Sequence, residues 1–216
     1  PQSAHVLEAE KAIATCLRSL AVSIELPAEV LVCAALLEMD AGDSTWRAEV
    51  SRHWPEAPAV VHLELERLAS RLRESLPLAL IHELVPYLME PIAGGYRLPT
   101  TNGPHSGKSA RQELATYFTP GDIAAFMTKE GLARLTGRPQ RVLDPCCGTG
   151  TFLRHFVRQT RGLMSGEEQL SAITGFDLDA RSLNIAAVIL SVEIFGQTSD
   201  WPRVRERLHH GDALEL

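Results

Sequence analysis

The chain has 216 residues, of which 45% are hydrophobic, an ordinary content for a globular protein of one large or two modest domains. Its formal net charge is −6, and residues 1–100 carry 8 Lys and Arg against 14 Asp and Glu, whereas the rest carry 13 of each kind. Domains that bind nucleic acid usually have a basic surface. The composition therefore argues against a large phosphate-binding surface in these residues, without excluding a local one.

Cysteine spacing and apolar runs predict the compartment. Cys16, Cys33, Cys146 and Cys147 include no Cys-x-x-Cys pair, which favours reduced thiols in a cytoplasmic protein. The longest apolar run, Val30–Leu37, has eight residues, whereas about 18 are needed to cross a bilayer. The first residues do not resemble a signal peptide. We expect a cytoplasmic protein without a membrane partner.

Residues 1–95 are predicted to form an all-α domain. Apolar periodicity indicates helices over 5–20, 27–39, around 46–50, over 58–76 and over 78–88. Pro27 suits a first helical turn, Pro77 separates the last two helices, and Pro86 should kink or end the final one. The acidic balance favours contact with a protein subunit over contact with DNA. Inward positions are expected at Leu7, Ile13, Ala14, Leu17 and Leu20, and at Val60, Leu63, Leu65, Leu68, Leu72 and Leu76.

Residues 96–112 are predicted to be a flexible linker rich in Gly, Pro, Ser and Thr. Their stretch Gly103–Ser109 superficially resembles a phosphate-binding P-loop. That motif requires an initial glycine after a buried strand, whereas Asn102 occupies the glycine position and no strand precedes it. We interpret the linker as a flexible loop whose Lys108 and Arg111 can approach a DNA phosphate.

A capped helix is predicted after the linker. Tyr117 and Phe118 lead into Thr119, a capping candidate, and Pro120, which suits the first helical turn. A helix N-terminus can receive a carboxylate through its free N–H groups. The apolar face of this helix is expected at Ile123, Phe126 and Met127. Packing of that face on a sheet is the simplest structural interpretation.

The stretch from Arg141 to Leu153 predicts a buried strand, a glycine-rich turn and a helix. Val142 and Leu143 form the strand, and Gly148 and Gly150 leave room for a ligand on the backbone. The turn lacks the Gly-x-Gly-x-x-Gly spacing and has no Lys, so it suits neither a dinucleotide nor a triphosphate. The alternative to a cofactor-binding loop is an ordinary turn between a strand and a helix that happens to contain two glycines. The helix carries one apolar face, made of Phe152, Leu153, Phe156 and Val157.

A second strand that ends in acids is predicted over 172–179, followed by a helix that starts at Asp179 or Ser182. Asp177 at its tip can accept hydrogen bonds from two ribose hydroxyls, and helix capping is the alternative role. Near the end of the chain, the arginines at 203, 205 and 207 are interpreted as solvated surface. Adjacent His209 and His210 would point to opposite faces of a strand, so no metal site is predicted.

The order of these motifs resembles a known family. Asp144 to Gly150 (Asp-Pro-Cys-Cys-Gly-Thr-Gly) resembles motif I of class I S-adenosylmethionine (SAM) methyltransferases, and its fuller form looks like DNA adenine-N6 methylases, including modification subunits of type I restriction systems. Tyr117 to Pro120 is similar to motif X of these enzymes, and it stands before motif I as in the family. The resemblance implies an α/β fold: a Rossmann-like SAM methyltransferase sheet in residues 113–216, after the all-α domain.

The resemblance also implies a SAM site. Motif X would lie over the methionine end, Asp177 would bind the ribose, Leu178 would lie on the adenine face, and Asp212 would accept from the adenine amino group. Asp177 stands where the family more often has Glu. The implied cofactor residues are Tyr117, Phe118, Thr119, Pro120, Asp144, Pro145, Cys146, Gly148, Thr149, Gly150, Phe152, Asp177, Leu178, Asp212 and Ala213.

The family's base-binding motif, Asp/Asn-Pro-Pro-Tyr/Phe, does not occur, since the chain contains no Pro-Pro dipeptide. We therefore name no catalytic residue, and expect this chain alone to be an inactive N-terminal part of a longer enzyme that methylates a flipped-out adenine in a restriction–modification or defence system. DNA and a specificity or other protein subunit are the expected partners. The alternatives are a class I methyltransferase acting on RNA, protein or a small molecule, and a non-catalytic SAM-binding interaction module.

Overall fold

The computed structural model describes residues 4–21, 28–38, 51, 59–75, 77, 83–86, 88–89 and 119–215. This part is rich in helix and contains a small sheet of three parallel strands. Several predictions lie outside the described residues: the helix around 46–50, the linker 96–112 with its P-loop-like stretch, and the roles of Tyr117 and Phe118.

Three N-terminal helices coincide with predicted ones: α1 (Ala4–Ala21), α2 (Ala28–Glu38) and α3 (Ala59–Ser75). Residues 83–86 and 88–89 are also helical, and Pro86 lies in the first of these two pieces. Helix α2 is enclosed by protein, since all eight residues from Val30 to Leu37 are buried. Its sequence is apolar all round, as a helix without a solvent face requires.

The inward face of α3 differs from the predicted one. Leu65, Leu68 and Leu72 are buried as expected, but Val60 and Leu63 are exposed. The buried stripe begins at Val61 and continues with a spacing of three and four residues, so positions 60 and 63 fall outside it. The prediction for these two residues was wrong because one helix face cannot hold all six positions.

In the rest of the described chain at least one helix lies between successive strands, as the α/β prediction requires of these helices and strands. In order they are α4 (Gly121–Ala133), β1 (Val142–Asp144), α5 (Thr151–Thr160), α6 (Gly166–Ala172), β2 (Ile173–Asp177), α7 (Ala180–Phe195), α8 (Trp201–Arg205) and β3 (Leu208–His210). The strands are parallel and lie in the order β1-β2-β3. Asp179 caps α7 by accepting a hydrogen bond from the Arg181 N–H at 3.1 Å, which confirms the predicted helix start.

Helix α7 joins two apolar cores. Ile185, Val188 and Ile189 pack with the buried residues of α1, α2 and α3. Leu183 and Leu190 pack with α5 and the strands. The N-terminal helices therefore share a core with a helix of the α/β region, while the division into domains at residues 95 and 112 stays a prediction.

Four apolar positions, three in α4 and one in β1, are more exposed than predicted. Helix α4 packs against α5, and its buried Ala124 and half-buried Thr128 and Leu132 are spaced four residues apart on one face. The predicted apolar face is rotated away from these positions and is wrong, since Ile123, Phe126 and Met127 are all exposed, Phe126 by 64%. Likewise, Leu143 is 59% exposed, because successive side chains of a strand point to opposite faces and β1 is an edge strand of the described sheet.

The arginines near the end of the chain are bound to protein groups rather than merely solvated. Arg203 pairs with Glu167 and Asp200. Arg207 donates to the carbonyls of residues 173 and 171, at 3.1 and 2.9 Å, where α6 runs into β2. Within the described ranges, no helix combines the length and apolar character needed to span a bilayer.

Candidate functional site

The glycine-rich loop between β1 and α5 is folded against the neighbouring strand β2. The Cys147 N–H donates to the Phe176 carbonyl at 2.8 Å, and the Gly150 N–H donates to the Cys147 carbonyl at 2.8 Å. The side chain of Asp144 accepts from the Cys146 N–H at 3.2 Å. The loop is thus a tight turn that presents its backbone at the carboxyl end of the sheet, where ligands of open α/β sheets bind.

Both glycines of the turn have the predicted left-handed conformation. Gly148 has φ +53° and Gly150 has φ +84°, values that residues with a Cβ rarely adopt. A Cβ on Gly148 would meet no atom of the described residues within 4 Å, whereas one on Gly150 would lie 3.2 Å from the Cβ of Ala186 in α7. Gly148 therefore leaves open space above the loop, and Gly150 allows the loop to approach α7.

Asp177 connects this loop to the end of β2. Its Oδ2 accepts from the Gly148 N–H at 2.8 Å, and its Oδ1 accepts from the Asp179 N–H at 2.9 Å. Each carboxylate oxygen has a second lone pair, so these bonds leave acceptor capacity for a ligand. Asp177 has a role that the sequence did not suggest, since it positions the glycine loop.

Two buried polar atoms at the loop have no hydrogen-bond partner among the described residues: Asp144 Oδ2 and Thr149 Oγ1. Burial raises the pKa of the Asp144 carboxyl, and the charge of Asp177 raises it further, while the Cys146 N–H opposes the shift. Buried polar atoms are normally satisfied by protein, water or ligand. A ligand with cationic or donor groups therefore fits this loop. The other residues of the turn, Pro145 and Cys146, are exposed.

The ends of β2 and β3 place the remaining predicted residues side by side. Leu178 follows β2 and is 63% exposed. The Gly211 N–H donates to the Asp177 carbonyl at 3.1 Å, so Asp212 comes directly after the joined strand ends. Asp212 Oδ1 accepts from the Leu214 N–H at 2.9 Å, which starts a 3-10 turn at half-buried Ala213.

At the other side of the loop, the start of α4 differs slightly from the prediction. Pro120 is the N-cap, with ψ 138°, and the helix begins at Gly121 without a side-chain cap. Thr119 therefore does not cap α4: the extended ψ of Pro120 moves the first helical residue one position beyond the predicted start.

Two cavities adjoin the loop. The first, of about 320 Å³, is lined by residues of the first turns of both α4 and α5, including Gly121 and Thr151. It places the predicted motif X helix beside the motif I helix. The second, of about 390 Å³, lies between α4 and β1 and is lined by Asp144 and half-buried Phe152. The described part contains no group of three potential metal ligands.

Sequence reasoning missed the contact between the loop and Gly175. A Cβ at Gly175 would lie 2.8 Å from Leu208 Cδ2, 2.9 Å from Cys147 Sγ and 3.2 Å from a methyl group of Leu153. All three neighbours are buried. The signal available in the sequence was the glycine inside a strand, which often marks a close approach of another segment.

We expect Gly175→Ala to lower the free energy of unfolding by about 1–3 kcal/mol, the usual cost of overpacking a core. Gly131→Ala is the matched control, because a Cβ on this helical glycine would have no neighbour within 4 Å in the part of the chain that the structure describes. It should raise stability by roughly 0.5–1 kcal/mol. Chemical denaturation of both variants checks the prediction. Equal stability of Gly175→Ala and wild type would contradict the close contact.

Comparison with known families supports the resemblance predicted from the motifs. Residues 105–197 match the family model described as N-6 DNA Methylase. The match includes the start of α4, the glycine loop and Asp177, in the order predicted from the sequence. No curated protein matches the chain.

Proposed function

We propose, from the premise that residues 105–197 belong to the N-6 DNA methylase family, that the chain is the SAM-binding part of a DNA adenine-N6 methyltransferase. The three parallel strands would be the first strands of a Rossmann-like sheet, and the N-terminal helices would form an all-α domain that packs on α7. The cofactor would lie across the carboxyl ends of β1, β2 and β3.

The observation that carries this proposal is the arrangement of Asp144, Gly148 and Asp177. Asp177 Oδ2 accepts a hydrogen bond from the Gly148 N–H at 2.8 Å, and the nearby Asp144 Oδ2 is buried without a partner among the described residues. An ordinary βα turn would have no reason to retain an unpaired buried carboxylate oxygen, because such a group lowers stability. A site for a cofactor that carries an ammonium and a sulfonium cation explains it.

Each residue of the site would then have a physical task. Asp144 would bind the positively charged methionine end, the open backbone at Gly148 would let the cofactor lie against the loop, and the N-terminus of α4 would face the carboxylate. Asp177 and Asp212 would accept hydrogen bonds from the ribose and the adenine. When bound, SAM supplies an electrophilic methyl group.

The acceptor in this proposal is an adenine of DNA, and the enzyme belongs to a restriction–modification or related defence system in the cytoplasm. An adenine inside a duplex must be flipped out before its amino group can react. The chain has no Pro-Pro dipeptide and therefore no base-binding motif of the family type. We propose that a further segment provides it, and that a specificity or other protein subunit contacts the acidic helices.

Calorimetry with SAM tests the proposed site. The wild-type chain should bind, and Asp177→Ala should lower the affinity tenfold or more, because it removes both an acceptor for the ribose and the bond to the Gly148 N–H. Asp212→Ala should have a smaller effect, of about threefold to tenfold. Asp200→Ala is the control, because Asp200 lies in the turn before α8, outside the proposed site, and pairs with Arg203 of that helix. Unchanged affinity in both site variants would contradict the proposal.

A further inference from the structure

We infer that His210 is a positioning residue for the adenosine half of the cofactor, because it holds the end of β2 on which that half would lie. This inference rests on the proposed function. His210 would act through the backbone of Leu178 and would not touch the reacting methyl group.

His210 is the last residue of β3 and lies opposite Asp177 in the parallel register. Its Nε2 is 3.0 Å from the Leu178 carbonyl oxygen. A carbonyl oxygen can only accept, so Nε2 carries the hydrogen in this bond. The next residue, Gly211, donates its N–H to the Asp177 carbonyl at 3.1 Å. Consecutive carbonyls at the end of β2 are therefore bound by consecutive residues at the end of β3.

These two bonds fix the relative position of the groups proposed to bind adenosine. Asp177 and Leu178 lie on one strand end, and Asp212 lies on the other. The ladder between β2 and β3 ends at Asp177, so the His210 side chain extends the connection by one residue beyond it. Leu178 is largely exposed, and a hydrogen bond to its carbonyl restricts the angle at which its side chain meets a ligand.

The neighbouring His209 has a different role. Its ring lies 4.8 Å from the ring of Phe176, centroid to centroid, with a tilt of 31°. Adjacent residues of a strand point to opposite faces. The two histidine side chains therefore lie on opposite faces of the sheet and make different contacts. His209 therefore provides a matched control: its loss removes a ring contact and leaves the bond to Leu178 in place.

Calorimetry with two probes, SAM and adenosine, tests this inference on the complete chain. His210→Ala should lower the affinity for both probes by the same factor, about threefold to tenfold, the value of one lost hydrogen bond. His210→Gln should restore most of the affinity, because its amide can donate to the same carbonyl. His209→Ala should bind both probes like wild type, and the melting temperature of each variant shows whether it is folded.

Wild-type affinity in a folded His210→Ala variant would overturn the inference, as would an equal loss in His209→Ala or no recovery in His210→Gln. If His210→Ala did not fold, His210→Gln would decide. Its affinity for both probes should be close to that of wild type, and a clear loss of affinity in folded His210→Gln would overturn the inference. Failure of the proposed function is distinguishable, because the wild-type chain would then bind neither SAM nor adenosine.

Discussion

Glu193→Gln is expected to lower the free energy of unfolding by about 3 kcal/mol, the effect of removing one partner from a buried ion pair. The Glu193 carboxylate lies on α7 and accepts from three arginines of α5 and its C-terminal end. Arg154 Nε and Arg158 Nη2 lie 2.7 and 2.6 Å from Oε1, and Arg161 Nη2 lies 3.0 Å from Oε2. Gln preserves the shape but leaves the buried Arg154 guanidinium without its closest anion.

Glu83 partly limits this loss. It pairs with Arg158 at 2.9 Å and lies 3.8 Å from Arg154, so one anion remains after the substitution. Its position before α4 also means that the ion-pair group connects the N-terminal residues with α5 and α7. The loss of stability should therefore appear as a shift of one cooperative unfolding transition to a lower denaturant concentration, measured by chemical denaturation.

Glu130→Gln is the control for the same chemical change. Glu130 pairs with Arg134 at 2.9 Å on one helix, but its side chain is 42% exposed, against 10% for Glu193. Exposed pairs contribute roughly 0–1 kcal/mol. A loss in Glu193→Gln no larger than the loss in Glu130→Gln would show that the buried group does not stabilise the fold.

The pH dependence gives an independent check on Glu193. Burial alone would raise the pKa of its carboxyl, but hydrogen bonds from Arg158 and Arg154 and their charges lower it below the ordinary value of 4.5. A lowered pKa in the folded state contributes stability above pH 4.5, and this contribution is lost as the pH falls through the folded value. The difference between wild type and Glu193→Gln should therefore narrow on acidification.

The parts of the site that follow the backbone could be predicted from the sequence. Gly148 and Gly150 required a turn, and the acids after β2 and β3 had to meet at one edge because parallel strands end together. What could not be predicted depends on how elements rotate and approach. Phe126 is exposed because α4 buries the face that carries Ala124 instead, and nothing in the local sequence pattern distinguishes these two faces.

Side-chain contacts between residues far apart in the sequence could not be predicted either. The bond from Gly148 to Asp177 joins residues 29 apart, and that from His210 to Leu178 joins residues 32 apart. No spacing rule predicts them, because they depend on the register of neighbouring strands. The closeness of Arg154 and Glu193 depends likewise on how α5 and α7 cross.

Asp144→Asn is expected to weaken SAM binding at least tenfold and at the same time to raise the stability of the free protein at neutral pH. The loss of affinity follows because the variant no longer offers an anion to the cationic end of the cofactor, and hydrogen bonds to charged groups contribute about 1.5–3 kcal/mol. The gain in stability follows because Asp144 Oδ2 is buried and has no hydrogen-bond partner in the part of the chain that the structure describes. Calorimetry and chemical denaturation measure the two effects separately.

The sign of the pH dependence distinguishes this explanation from simple disruption of the loop. Burial and the charge of Asp177 raise the pKa of Asp144 above its ordinary value of 3.8. Between the ordinary pKa of the unfolded state and the raised pKa of the folded state, the folded state therefore binds more protons than the unfolded state. Wild-type stability falls as the pH rises through that interval. Asp144→Asn lacks this fall, so its advantage should grow with pH and then level off, whereas a variant that merely damages the loop would be less stable at every pH.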